Sequence, residues 1–218
     1  MSVFAVAERG HFLKVPAIYM EKIAIGPGFP DGLVDLDASP AENLKAFAEA
    51  KAVPVSELSV CVLDRPRHGP LIEEVRTAGA ALRLISDGDI AGVIHVSDPV
   101  ETGIDMYMGT GGAPEGVLAA AALACMGGQM QGRLIAPNAE QRARGRAAGI
   151  TDFTKKYAIG DMVSGDLSFA ATGITSGSLL GGVRFAKEAI LTQSVVMRAS
   201  TRTVRWIKTE HPDISKFD

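Results

Sequence analysis

The chain opens on a short, almost wholly apolar run, Ser2–Ala7 (Val3, Phe4, Val6), which predicts a strand, and Gly10 supplies a turn soon after it. Tyr19–Gly26 predicts a second strand, closed by the turn GPGFPDG at Gly26–Gly32. The pattern then changes. Ser39 is a good N-cap, Pro40 suits the first helical position and Glu42 completes a capping box, so a helix is expected through Ala50. From there a short apolar strand, a polar or glycine-rich turn and a helix repeat. Ser59–Leu63 leads through DRPRHG to a helix near Leu71–Ala78, and Ala81–Ile85 leads through SDGD to a helix near Ile90–Val96. Ile104–Met108 leads through GTGGAPEG to the helix Val117–Met126. After Gly128 the periodicity weakens to a polar helix at Asn138–Ala148 and a strand at Ser168–Ile174. Leu180–Phe185, Ser194–Arg198 and Thr203–Ile207 read as antiparallel strands. The alternation predicts an α/β fold of parallel βαβ units with a β-rich C-terminal tail, in a single domain over residues 1–218.

Composition narrows the setting. Hydrophobic residues make up 47% of the 218 residues, as a packed globular chain requires, while aromatics are only 6%, so small and aliphatic side chains must fill the core. A formal net charge of −3 offers no basic field for nucleic acid. The longest apolar run, around Val117–Met126, is too short to span a bilayer, which takes roughly 20 residues, and reads as a buried helix. Cys61 and Cys125 lie in apolar runs without CxxC spacing, and the start MSVFAVAERG lacks the build of a signal peptide. A soluble cytoplasmic protein with free buried thiols is expected, with no membrane or nucleic-acid partner.

In open parallel sheets, ligands bind outside the carboxyl ends of the strands, and the unusual turns of this sequence are all strand-to-helix turns. Arg65-Pro66-Arg67 places two guanidiniums on a stiffened segment, suited to a phosphate, though a solvated surface loop fits the same residues. The adjacent His68 suits packing or capping better than catalysis. Asp87-Gly88-Asp89 puts two carboxylates around a glycine, able to accept from sugar hydroxyls, hold a hard cation or simply cap a helix. Gly109–Gly112 would bring backbone amides near an anion, and Glu115 in the following first turn could bind a divalent ion or stabilise the helix dipole. Pro114 stands where a dinucleotide-binding G-x-G-x-x-G would need its last glycine, which disfavours a nucleotide-dependent oxidoreductase. Ala170–Gly177 is a further small-residue turn, and Tyr19 a strand tyrosine with no chemistry of its own.

Taken in order, DRPRH, LISDGD, GGAPEGVLAAAAL, MQGRL, ATGIT and SVVMR resemble the class II (GlpX-type) fructose-1,6-bisphosphatase family, some of whose members also hydrolyse sedoheptulose 1,7-bisphosphate. The resemblance runs from Ser2 to about His211. It implies a layered α/β sandwich similar to the C-terminal part of the lithium-sensitive sugar and inositol phosphatases, dependence on Mn²⁺ or Mg²⁺, and a homo-oligomer acting on a sugar bisphosphate. By the same resemblance Tyr19, Arg65, Pro66 and Arg67 would bind phosphate, Asp87, Gly88 and Asp89 sugar hydroxyls, Gly112 substrate through its backbone, and Glu115 the metal. The family's acidic D-P-[IL]-[DE]-G-T motif occurs nowhere in these residues. An N-terminally truncated form, lacking most metal ligands and with little or no hydrolysis of its own, is therefore expected; a non-catalytic sugar-phosphate-binding module is the alternative.

Overall fold

A computed structural model describes residues 1–212. Strand β1 (Ser2–Ala7) is followed by β2 (Tyr19–Ile25) and helix α1 (Pro40–Lys51). Strand β3 (Ser59–Leu63), a 3₁₀ turn at Pro66–His68 and α2 (Gly69–Thr77) come next, then β4 (Ala81–Ile85), α3 (Asp89–His95) and the short α4 (Pro99–Thr102). Strand β5 (Met106–Gly112) runs straight into α5 (Ala113–Met126), followed by β6 (Gln129–Ile135) and α6 (Ala139–Ala147). The chain continues through β7 (Lys156–Ala158), α7 (Ile159–Met162), β8 (Leu167–Thr172), β9 (Arg184–Phe185), β10 (Ile190–Arg198) and β11 (Thr203–His211).

Two sheets result. One has the order β4-β3-β5-β2-β6-β7, and the other β1-β8-β10-β11 with β9 paired to β10. Parallel pairing is confined to β3 with β4 and β5, while β2 runs antiparallel to both β5 and β6 and every pairing of the second sheet is antiparallel. The expectation of a parallel sheet therefore holds for three strands only. The β-rich tail is likewise not a tail alone, because the N-terminal β1 closes its sheet against β8.

The local reasons are direct. Ser39 Oγ accepts from the Glu42 amide at 3.3 Å while Glu42 returns a bond to the Ser39 amide at 2.8 Å, a complete capping box at the start of α1. Along β2, Met20, Lys22 and Ala24 turn to one face and Ile23 and Ile25 to the other, the period of a strand buried on both sides. Ile23 and Ile25 join Leu44, Phe47 and Val75 under α1 and α2. Met20 and Ala24 join the larger core around α3 and α5, which also takes Phe169, Val195 and Met197 from the second sheet. Helix and sheet layers thus alternate: α1 and α2, the six-stranded sheet, α3 and α5, then the second sheet. The mixed α/β layering expected from the sequence is present. Among the described residues no helix is long and apolar enough to cross a membrane.

Helix α5 carries its small residues because it is covered from both sides. Ala119, Ala120, Ala121, Ala122, Leu123 and Cys125 are all buried. Leu123→Ala should therefore cost about 2–5 kcal/mol, whereas Ser39→Ala at the α1 cap should cost only about 1 kcal/mol. Chemical denaturation of the two variants checks both size and order.

Candidate functional site

The carboxyl ends of the parallel strands gather the predicted turns on one edge. Asp64–His68 leaves β3, Ser86–Asp89 leaves β4, and Glu115 lies in the first turn of the helix that leaves β5. Tyr19 reaches the same edge from the opposite direction, because β2 is antiparallel and pairs Tyr19 with Gly112. One expected feature differs. Gly109-Thr110-Gly111-Gly112 forms no open turn but the last four positions of β5, paired in register with Lys22, Glu21, Met20 and Tyr19. Gly111 and Gly112 are needed for what packs beside the strand, while Gly109, at φ 146°, also takes a backbone conformation that residues with a side chain rarely adopt.

On the α2 side, Arg67 donates through Nε and Nη2 to the Thr110 carbonyl at 3.1 and 2.7 Å, and its guanidinium lies 4.9 Å from the centroid of the Tyr19 ring. Both side chains remain exposed, so the fork is held in place yet faces solvent. Arg65 turns back to its neighbour, the Asp64 carbonyl, at 3.1 Å, and Pro66 opens the 3₁₀ turn between the two arginines. His68 is buried: Nδ1 donates to the Leu63 carbonyl at 2.7 Å and Nε2 accepts the Thr110 amide at 2.8 Å. It is a clamp between β3 and β5, and burial pushes its imidazole below the ordinary value. A cavity of about 310 Å³ opens beside Arg67 and His68, between the ends of β2 and β5 and helices α1 and α2.

On the α3 and α5 side the strand edge holds a buried charge. Lys22 is 1% exposed. Its ammonium donates to Asp89 Oδ2 and lies 3.3 Å from the Gly112 carbonyl, while the buried Tyr107 hydroxyl donates to Asp89 Oδ1. Burial lowers the Lys22 pKa against the pull of Asp89, and burial, reinforced by Asp89, raises Tyr107 well above the ordinary phenol. A side chain on Gly111 would overlap the Asp89 carboxylate, and one on Gly112 would overlap that of Glu115, which folds back over this glycine. Gly88 opens α3 at φ 91°, a left-handed conformation that only glycine adopts freely. Asp87 is exposed, with Oδ1 accepting from the Gly88 amide at 2.8 Å.

The structure therefore brings Tyr19 to Arg67, and Gly112 to Glu115, on either face of the β2–β5 pair. Asp89 belongs to the same edge, but both its carboxylate oxygens are engaged by Lys22 and Tyr107. Lys22 and Tyr107 escaped the sequence reading. A lysine in a strand ordinarily marks a solvent-facing position, and the only local signal was its place between Met20 and Ala24 on one face. Ala170–Gly177 stands apart, in and beyond β8 of the second sheet, where the Gly173 amide donates to the Gln193 carbonyl at 3.0 Å. Among the described residues no group of three histidine, cysteine or acidic side chains converges as a metal would need. Glu115 offers one exposed carboxylate, so these residues do not form a metal site by themselves. Burial raises the Cys61 thiol to about 12 and Cys125 to about 11, which leaves both protonated and inert.

Two outcomes test this geometry. Lys22→Met strands a nearly buried carboxylate and should destabilise the protein by about 3–5 kcal/mol, while adding Asp89→Asn should recover part of that loss; a double-mutant cycle by urea denaturation reads the coupling. The depressed His68 pKa gives a pH dependence of defined sign. An unfolded imidazole titrates near 6.5 and the folded one lower, so the unfolded chain binds more protons between the two values. Stability is complete above about pH 6.5 and falls as pH drops toward the folded pKa. His95, also depressed by burial, acts in the same direction. Thermal melts from pH 8 to 5 should show the fall, reduced in His68→Gln measured as a difference from its own value at pH 8.

Residues 1–211 match the family described as "Bacterial fructose-1,6-bisphosphatase, glpX-encoded". The D-fructose 1,6-bisphosphatase class 2/sedoheptulose 1,7-bisphosphatase of Synechococcus elongatus is 43% identical over 224 residues, covering 97% of this chain. The protein of the same name from Synechococcus sp. JA-3-3Ab is 42% identical over the same length. This chain spans 64% of the length of these curated relatives. With a match over nearly its whole length, the chain belongs to the glpX-encoded bacterial fructose-1,6-bisphosphatase family.

Proposed function

We propose that this chain is the sugar-phosphate-reading part of a metal-dependent sugar bisphosphatase that removes the 1-phosphate of fructose 1,6-bisphosphate, and of sedoheptulose 1,7-bisphosphate in the manner of its relatives. The observation that carries the reading is the Arg67–Tyr19 pair, an exposed guanidinium fork fixed on the same strand edge as Asp87 and Glu115. Arg fits phosphate bidentately, and bonds to Thr110 and the Tyr19 ring set its direction before any ligand arrives. In this reading Tyr19, Arg65, Pro66 and Arg67 take the distal phosphate. Asp87, Gly88 and Asp89 face the sugar hydroxyls. Because the Asp89 carboxylate is held by Lys22 and Tyr107, the exposed Asp87 carboxylate is the freer acceptor. Gly112 meets substrate through its backbone.

Mn²⁺ or Mg²⁺ would orient water and offset charge on the phosphoryl oxygens, with the exposed Glu115 carboxylate, in the first turn of α5, as its ligand in this reading. The described residues do not complete that shell, which favours binding without turnover by the chain alone. In this view residues 1–218 form one α/β domain that corresponds to the substrate-binding C-terminal part of the lithium-sensitive phosphatase architecture. The alternating layers and the strand-edge site support that correspondence. Two free, buried cysteines suit a cytoplasmic setting.

Isothermal titration with fructose 1,6-bisphosphate tests the reading. The chain should bind, and Arg67→Ala should weaken binding roughly 10–100-fold, as loss of charge-assisted bonds does. Arg83→Ala, on β4 and lining a separate cavity, should leave it unchanged. Phosphate release with Mn²⁺ should stay below about 1 s⁻¹, the low end of ordinary turnover. Absence of binding sinks the sugar-phosphate assignment, and turnover above that rate sinks the claim that the chain alone lacks a working metal shell.

A further inference from the structure

A second cavity, of about 850 Å³, lies on the opposite face of the six-stranded sheet from the one beside Arg67. Small-molecule sites run from roughly 300 to 1,000 Å³, so its size suits a ligand. Arg83 and Ile85 reach it from one face of β4, Val204 and Trp206 from one face of β11, His95 from α3 and Glu101 from α4. Ser178 and Leu179, which continue the Ala170–Gly177 turn, line it too. Strand β11 stands at the opposite edge of its sheet from β1, with β8 and β10 between them. Several polar groups of the lining are already spent. Ser97 Oγ donates to the Ile94 carbonyl at 2.7 Å, Thr102 Oγ1 to the His95 carbonyl at 2.8 Å, and Asp98 Oδ1 accepts from the Glu101 amide at 3.3 Å. Three others are not. Among the described residues the side chains of Arg83 and Glu101 make no hydrogen bond or ion pair, with each other or elsewhere. His95 is 5% exposed, its ring meets the Ser178 backbone, and its Nδ1 is buried without a partner.

We propose that this cavity binds a free α-amino acid with a large apolar side chain, its carboxylate on Arg83, its ammonium toward Glu101 and its side chain against Trp206 and the aliphatic wall. Two opposite charges that line one cavity and do not pair with each other call for a ligand that carries both. Arg83 offers a planar fork suited to a carboxylate. A neutral imidazole has one N–H and one lone pair. Whichever nitrogen holds the proton, Nδ1 offers a lone pair to an ammonium or an N–H to a carboxylate, and a zwitterion brings both. Burial keeps this ring below its ordinary pKa, and the charge of Arg83, felt at the ring, acts in the same direction. Ile85, Ile94, Met126, Leu179 and Val204 supply the apolar wall. Other ligand classes fit less well. A bisphosphate would face the carboxylates of Asp98 and Glu101 with one guanidinium to hold it, and a hydrocarbon would cover Arg83 and Glu101 without pairing either. The cavity is therefore a site of different chemistry from the sugar-phosphate edge.

Trp206 is the only tryptophan in the sequence, so its fluorescence reports on this cavity directly. L-leucine, L-isoleucine and L-phenylalanine are titrated into the whole chain, each beside the acid and the amine that keep its side chain and one of its charges. For leucine these are 4-methylpentanoate and 3-methylbutylamine. At least one amino acid should change the emission saturably, with a dissociation constant below about 1 mM. Its two analogues should bind roughly 10-fold more weakly or worse, because each forfeits a charge-assisted contact. Arg83→Gln and Glu101→Gln alter exposed positions, so the fold is retained, as circular dichroism will verify, and each should weaken the amino acid roughly 10-fold. The proposal is overturned if none of the three amino acids saturates the signal, if either analogue binds as tightly as its amino acid, or if both variants leave the affinity unchanged. Displacement of the amino acid by fructose 1,6-bisphosphate would make the cavity part of the sugar-phosphate site and overturns it too. Whether the chain binds that sugar is read separately by calorimetry, so the two readings fail independently.

Discussion

A helix lying between two sheets has no face left for water, and α5 is built to that constraint. Its run Val117–Cys125 presents alanines to the six-stranded sheet on one side and to β8 and β10 on the other, so both sheets can approach closely. The position of that helix fixes much else. It begins directly at the end of β5, without a connecting loop, so Glu115 must stand at the carboxyl edge of the parallel strands. Gly116, one residue on, leaves space for the side chains of Met20 and Lys22 on β2. The buried helix, the strand beneath it and the site edge are thus parts of one packing arrangement.

Lys22 shows how that arrangement handles charge. A lone ammonium in this layer would be costly, yet here it meets a carboxylate, a carbonyl and the field of Glu115. The pair ties β2 to the start of α3, and Tyr107 on β5 ties the other carboxylate oxygen. Gly92 lets α3 come close to the Tyr107 ring, which a larger residue would push away. His68 does comparable work on the opposite face, joining β3 to β5 through two bonds to backbone. Arg67 is therefore presented from a scaffold fixed on both sides, which is how an exposed guanidinium keeps a direction.

Much of this was written in local pattern. The bounds of β1, β3 and β4 follow directly from short apolar runs, and α1 from a capping box whose two bonds both form. Other elements were hidden for identifiable reasons. The glycines of β5 carry the signature of a turn, although they lie within a paired strand, where they admit Asp89, Lys22 and the ring of His68 and where Gly109 takes φ 146°. Strand β6 alternates buried Met130, Gly132 and Leu134 with Gln129, Gln131 and Arg133, and glycine and glutamine mask that period. Gln131 and Arg133 are spent on long-range bonds to Leu36, Glu21 and Asp37 that no local window contains.

By itself the sequence determined the alternation of strand and helix, the turns that carry Arg67, Asp87 and Glu115, and the family to which those turns belong, because each is a short-range pattern of residue type and spacing. Tertiary structure alone decided which of those residues meet. The antiparallel course of β2 sets Tyr19 beside Arg67, and the closure of α3 over β5 turns the Asp89 carboxylate inward to Lys22 and Tyr107. Strand direction and the burial of a charge are properties of packed neighbours far apart along the chain, and a sequence read residue by residue does not contain them.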